Sequence, residues 1–335
     1  MGGSGCIKEN EVNPVSVSST CVEHVSLEEE ERGNSSSPSG VEIRKALSQL
    51  KRGKAASDSI SVDLLLDGGD EIISSLEILF GYCFERSMTP LDFNWGILIL
   101  IHKKGCKSDP SNYRGITLMN MVAKLYSKVL LNRLAPYFEA HFVKDEQGGF
   151  RAERATEDQC FALNNIAWQF RRRNKKPLYL LFVDFRKAFD TVNRDLLWQK
   201  LRNIGVDGNL IRAIRSLYVG HKARLRLNGE LSEFFPIELG VKQGCVLSPE
   251  LFKEFINDLV EVVNAVGKGV KLDFMSISCL LFADDLVLMS ESLEGLKVQS
   301  AALESWCIQN NLEVNTLKTK MMVMNSTQKT SQRGS

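Results

Sequence analysis

Two adjacent aspartates, Asp284 and Asp285, interrupt the apolar run SCLLFADDLVLMS, and a third acid, Asp184, ends the apolar run LYLLFVD. Like charges at the tip of an apolar hairpin repel each other and lose hydration, so the arrangement calls for a positive partner. Three carboxylates brought together would supply hard oxygen ligands, which suit Mg²⁺ above other cations. Two such ions about 3.5–4 Å apart can clamp the attacking and leaving oxygens of a phosphoryl transfer. Taken singly, each aspartate reads equally well as a turn residue or a strand terminator. The chemistry therefore depends on whether the fold brings the three together.

The elements that would do so are legible in outline. LYLLFVD is a continuous apolar run that predicts a strand buried on both faces, and SCLLFADDLVLMS predicts a hairpin. WGILILIHKKG predicts a strand opening onto a basic loop, and ARLRLNGELSEFFPIEL a hairpin turning at Asn228-Gly229. Helical spacing predicts helices from Val41 to a stop at Gly53, from Asp70 to Glu85, and within 119–134, with a short one near 136–142. T-E-D-Q at Thr156 matches a capping box for a helix reaching about Arg172. Another helix is expected from Arg194 to Ile204, closed by Gly205. Ser248-Pro249 reads as a capping serine and first-turn proline for a helix to about Val263. A helix near 293–310 and a short strand at 320–324 complete the pattern. Mixed strands and helices with antiparallel hairpins predict an α+β fold.

Composition narrows the class. The 335 residues are 44% hydrophobic, enough for a sizeable core. Charged or polar residues interrupt every apolar run before it reaches membrane-spanning length. The start, MGGSGCIKENEVNP, lacks the basic-then-apolar pattern of a signal peptide, so the chain reads as soluble and intracellular, in nucleus or cytoplasm. The eight cysteines are scattered, and His24, His102, His141 and His221 are isolated, which predicts reduced thiols and no zinc site. The net charge of +1 averages unlike parts: residues 1–40 hold two basic and seven acidic residues, net −5, which leaves +6 on the remainder. Basic clusters at Lys51-Arg52-Gly53-Lys54, Lys103-Lys104 and Arg171 to Lys176 permit a polyanionic partner without requiring one. Residues 1–40, with EEEER and GNSSSPSG, are expected to be a disordered acidic, Ser-rich head.

The order of the motifs carries more than any one of them. HKKG, NYRGITL, DEQGGFR, FVDFRKAFD, GVKQGCVLSPELF, LLFADD and WCIQNNLEVNTLKTK follow one another. From about Lys51 to Val323 the chain closely resembles the reverse transcriptase domain of non-LTR (LINE-type) retrotransposons. The resemblance implies a right-hand polymerase, with fingers and an antiparallel palm sheet packed on helices. It implies an N-terminal extension and fingers over 41–176 and a palm over 177–325, followed by a disordered tail at 326–335 with no thumb. The activity implied is RNA-directed DNA synthesis, adding dNTPs to a DNA primer on an RNA template, with two Mg²⁺ ions and Mn²⁺ as a substitute. The alternative is a truncated, catalytically silent remnant that at most binds nucleic acid. An RNA-dependent RNA polymerase would want a small or polar residue where Phe189 stands.

Residue by residue, the resemblance makes Asp184, Asp284 and Asp285 metal ligands, with the Phe185 carbonyl near the second ion. Lys318 matches a late-palm lysine that protonates pyrophosphate, and Lys320 competes for that role. Lys103, Lys104 and Arg114 match the triphosphate-holding segment, Phe189 the steric gate against a 2′-OH, and Gln243 and Gly244 a nucleotide contact. Gln147, Gly148, Phe150 and Arg151 match a template-contacting stretch. One segment departs from the pattern: Ser57 and Ser59 flank Asp58 where the family usually shows glycines.

Overall fold

The computed structural model describes residues 35–324 except 54, 55, 175, 273 and 274. The expected disordered tail and most of the expected head lie outside them. The end of that head is ordered, contrary to expectation. Ser39 and Glu42 form a capping box that starts helix α1 (Gly40–Ser48), and the Arg133 guanidinium donates to the Ser36 and Ser37 carbonyls at 2.7 and 3.2 Å. α1 stops at Ser48, short of Gly53.

Helices α2 (Val62–Asp67) and α3 (Gly69–Arg86) lead to strands β1 (Trp95–His102) and β2 (Tyr113–Met119). Helix α4 (Met121–His141) is continuous where two helices were expected. Pro136 removes one hydrogen bond, yet Leu134 and Phe138 on either side are fully buried, and their packing carries the helix through. Helix α5 (Thr156–Asn174) begins with Thr156 already inside it. The cap comes instead from Asp158, whose carboxylate accepts from the Ala155 amide at 2.7 Å.

Strand β3 (Leu178–Val183), the short helix α6 (Ala188–Thr191), α7 (Arg194–Asn203) and α8 (Gly208–Ser216) follow. Strands β4 (Lys222–Leu227), β5 (Glu230–Leu231) and β6 (Phe235–Pro236) come next. β4 pairs in parallel with β1, so residues expected in the palm share a sheet with residues expected in the fingers. Helix α9 (Ser248–Ala265) has Leu247 at its cap position and Pro249 in its first turn. Ser248 is buried and does not cap; its hydroxyl sits 3.4 Å from that of Tyr218. Strands β7 (Val270–Leu272), β8 (Met275–Ile277), β9 (Cys279–Phe282) and β10 (Asp285–Ser290), helix α10 (Leu293–Asn310) and strand β11 (Lys320–Met324) end the described chain.

The architecture is α+β, with a four-stranded antiparallel sheet, β11-β3-β10-β9, packed on helices. Strand alternation explains how both faces are used. Cys279, Leu281, Leu286 and Leu288 join the main core with Phe255 and Leu259 of α9 and Leu303 and Trp306 of α10. Leu280, Val287 and Met289 form a second core with Ile166 and Phe170 of α5. β3 is central, but Tyr179, Leu181 and Phe182 are only partly buried, so it is less enclosed than its run of apolar residues predicts. Truncating Leu288, which is fully buried, to alanine would cost about 2–5 kcal/mol. Among the described residues no helix is long and apolar enough to cross a membrane.

Candidate active site

The register of the four-stranded sheet brings the acids together. Leu286 of β10 lies opposite Val183 of β3, so the next residues along, Asp285 and Asp184, face each other at the strand ends. Ala283 and Asp284 form the two-residue turn between β9 and β10, with Ala283 at φ 59°. The Asp184 backbone is pinned on the other side, its amide donating to Thr319 Oγ1 at 3.3 Å and its carbonyl accepting from the Asn315 amide at 2.7 Å.

Asp285 feels the crowding. Burial, then the negative charges of Asp284 and Asp184, push its carboxyl above the usual range. Lys318 is paired with this group, its Nζ 3.6 Å from Asp184 Oδ2, with the lysine exposed and Asp184 partly buried. Lys320 turns away and donates to the Leu317 carbonyl at 2.7 Å. Among the described residues no three acidic, histidine or cysteine side chains form a ready-made metal cage. The fit to a divalent cation is one of donor chemistry and electrostatics: clustered hard oxygens whose mutual repulsion a cation would relieve. Phe185 bridges to Val314, but that bridge is made by the Arg186 and Asn315 amides, and the Phe185 carbonyl takes part in neither bond.

A second group of predicted residues meets beside α6. The loop at 240–244 is stitched to α6 by Val241 donating to the Phe189 carbonyl at 2.8 Å and Gly240 to Val192 at 2.9 Å. Thr117 of β2 donates to the Gln243 carbonyl at 2.7 Å. Gly244, at φ 111°, passes so close to β2 that a Cβ there would lie 2.6 Å from the Thr117 carbonyl oxygen. The half-buried Phe189 ring stacks on Phe252 at 4.4 Å between centroids and meets the Phe150 ring edge-on at 6.1 Å.

Two residues in this group escaped the sequence reading. Asp190 follows Phe189 and accepts from Gln243 Nε2 at 2.6 Å. Burial raises its carboxyl above the usual range, while the Gln243 bond and the charges of Lys187, Lys103 and Arg114 oppose the rise. Lys103 and Arg114 thus have a place in this group's field. Lys242 is buried, and its ammonium donates to the Leu217 and Phe93 carbonyls at 2.6 and 3.3 Å, anchoring the loop from below. Burial pulls its pKa down to about 7. A buried lysine in a polar loop leaves no sequence signal, whereas Asp190 lay inside FRKAFD and was legible.

The stretch matched to template contact faces mostly inward. Gln147, Gly148 and Gly149 are buried. Arg151 donates to Glu139 Oε1 at 2.6 and 2.9 Å and to the Lys144 and Gln147 carbonyls at 3.2 Å. Of the four matched residues, only Phe150 offers a large exposed side chain. Gln147 and Arg151 thus have internal partners. Asp58, in the divergent segment, accepts from the Met121 amide at 3.4 Å at the start of α4.

Known proteins resemble this chain in sequence and in fold. The profile of the reverse transcriptase (RNA-dependent DNA polymerase) family matches residues 101–333, well over half the chain. A probable RNA-directed DNA polymerase from transposon BS of Drosophila melanogaster is 27% identical over 73% of this chain and 27% of its own length. The Pol polyprotein of the type-1 retrotransposable element R2 from Popillia japonica is 28% identical over 65% of this chain and 30% of its own. The RNA-directed DNA polymerase of the mobile element jockey from Drosophila funebris is 25% identical over 83% and 31%. The chain therefore spans under a third of the length of these relatives. Telomerase from Candida tropicalis, solved with a fragment of telomeric RNA, shares the fold with a TM-score of 0.52 at 14% identity, over 70% of this chain and 42% of that one. The same enzyme without its C-terminal domain gives 0.51 at 14% identity, over 83% and 59%.

Proposed function

This chain belongs to the reverse transcriptase family, and we propose that it carries the fingers and palm of a LINE-type RNA-directed DNA polymerase. The observation that carries the reading is the register that sets Asp184 opposite Asp285, with Asp284 on the adjoining turn. Asp184, Asp284 and Asp285 would hold Mg²⁺, or Mn²⁺ in its place, with the Phe185 carbonyl available to the second ion. When bound, these ions supply charge neutralisation at the primer hydroxyl and the triphosphate.

The chain's own side chains do the rest. Lys103 and Arg114 offset triphosphate charge, and Arg114 can do so with two parallel bonds. Lys104 adds to the basic field of the same loop. The Phe189 ring, held by its stack on Phe252, fills the space a ribose 2′-OH would need. Gln243, oriented by Asp190, and Gly244 form the floor under the incoming base pair. Lys318 Nζ, beside Asp184, gives a proton to the departing pyrophosphate. The exposed Phe150 ring is the surface offered to the template. RNA template and DNA primer are held by backbone charge and shape, so affinity should fall steeply with salt.

The test is primer extension by the purified chain, given an RNA template, an annealed DNA primer, dNTPs and Mg²⁺. Extension that chelation abolishes is the expected result. A chain that binds the duplex but extends nothing would instead be a silent nucleic-acid-binding remnant.

A further inference from the structure

The edge of the four-stranded sheet next to the aspartates is closed by residues 146–149. Gln147 forms a parallel bridge with Leu281 of β9, with Leu281 donating to the Glu146 carbonyl at 2.8 Å and Gly148 to the Leu281 carbonyl at 2.9 Å. The Gln147 side chain, fully buried, then reaches the turn itself. Its Oε1 accepts from the Gly149 amide at 2.8 Å and from the Ala283 amide at 3.1 Å.

Four features make this more than incidental packing. Ala283 is buried and sits at φ 59°, a conformation costly for a residue with a Cβ. Its amide would be an orphan in a two-residue turn without an acceptor. Gly149 lies flat against the turn, since a Cβ there would come within 2.1 Å of the Ala283 nitrogen. The segment is itself held from behind, because Arg151 ties the Gln147 carbonyl to Glu139. Glu139 is 3.9 Å from Lys253 of α9, which pairs with Glu250 at 2.9 Å.

We propose that Gln147 is a positioning residue whose side-chain carbonyl holds the Ala283–Asp284 turn and so sets Asp284 against Asp184. This rests on the polymerase reading above. A side-chain oxygen at that reach is the requirement. Methionine has the length but no acceptor worth the name, whereas glutamate keeps an acceptor for both amides.

The experiment compares wild type, Gln147→Met, Gln147→Glu and Gly149→Ala in single-nucleotide addition, with template–primer affinity measured separately. Gln147→Met and Gly149→Ala should lower kcat about 10–100-fold, the scale of a small misplacement at a reacting centre. Template–primer Kd and dNTP KM should stay within about twofold of wild type, and Gln147→Glu should recover most of the lost kcat. A Gln147→Met variant with raised template–primer Kd and unchanged kcat would make Gln147 a template contact and overturn the proposal. Hydrogen exchange reads the brace without activity. Peptides covering 279–286 should exchange faster in Gln147→Met, with α10 unchanged. Equal exchange in the hairpin would overturn the brace, even if wild type extends normally. Faster exchange in a chain that never extends would support it, and the polymerase reading alone would fall.

Discussion

Gln243 and Asp190 are joined by a 2.6 Å hydrogen bond between two segments far apart in sequence, one carrying the ring of Phe189 and the other the loop at Gly244. The pair joins the two segments into one unit, the wall of the proposed nucleotide site. Removing the acceptor with Asp190→Ala should free the Gln243 amide and raise dNTP KM about tenfold, the scale of a hydrogen bond to a charged group. Asp190→Asn keeps an acceptor and removes a negative charge from beside Lys103 and Arg114, so KM should stay level or fall. Steady-state kinetics that give both variants the same KM would show that the pair does not orient the site.

Phe189 is held between Phe150 and Phe252, so its position is fixed by packing on both sides. Phe189→Val should admit ribonucleotides, raising rNTP relative to dNTP incorporation on the order of 100-fold, while retaining enough bulk to pack on Phe252. A ratio unchanged from wild type would take the gate away from this ring.

Glu42 links the cap of α1 to α4, its two oxygens accepting from Arg133 Nε and Nη2 at 2.6 and 2.8 Å. The Arg133 hydrogen bond, opposed by burial and helped by Ser39, lowers its pKa from 4.5 to about 2. A depressed carboxylate stabilises the fold above its unfolded pKa and loses that contribution as pH falls through the folded one. Partial exposure limits the contribution to about 1–2 kcal/mol. Thermal melts should therefore show Glu42→Gln less stable than wild type at pH 7 and equal to it near pH 2.

Glu254 behaves in the opposite sense. It is buried in α9, its Oε1 has no hydrogen-bond partner, and burial raises its pKa to about 8 despite Lys253 nearby. Between about pH 4.5 and 8 the folded state holds a proton that the unfolded chain gives up, so stability falls as pH rises. Glu254→Gln should remove this slope and leave the variant about 1–3 kcal/mol more stable than wild type at pH 8. Denaturant titrations that give parallel pH profiles would contradict the assignment.

How much of this was legible depends on whether neighbours in space were neighbours in pattern. The apolar runs flanking Asp284-Asp285 and the run LYLLFVD foretold β3, β9 and β10, while the meeting of Asp184 with Asp285 was an expectation of the resemblance that no single run carries. The pairing of β4 with β1 was not legible, because parallel register between distant strands leaves no local trace. Helix α8 was missed although Asp207 caps it and Leu210, Ile211 and Ile214 repeat at helical spacing. The two helices expected within 119–134 and near 136–142 are one, because the buried Leu134 and Phe138 carry the helix past Pro136. Gln147 was matched to a template contact, and Lys242 inside GVKQGC was not singled out. The Gln147 side-chain oxygen and the Lys242 ammonium each meet backbone groups of a distant segment, and a single sequence does not display that kind of partner.

Asp184, Asp284 and Asp285 are proposed to act together in nucleotide addition. The direct measurement is single-turnover addition of one dNTP to an RNA-templated primer, comparing wild type with Asp184→Asn and Asp284→Asn. The expected result is a loss of at least about 100-fold in each variant, the scale of removing one preorganised electrostatic group, with template–primer affinity retained. Variants that add nucleotide at the wild-type rate would contradict the claim, and the acids would then be no more than the turn residues and strand terminators they resemble one by one.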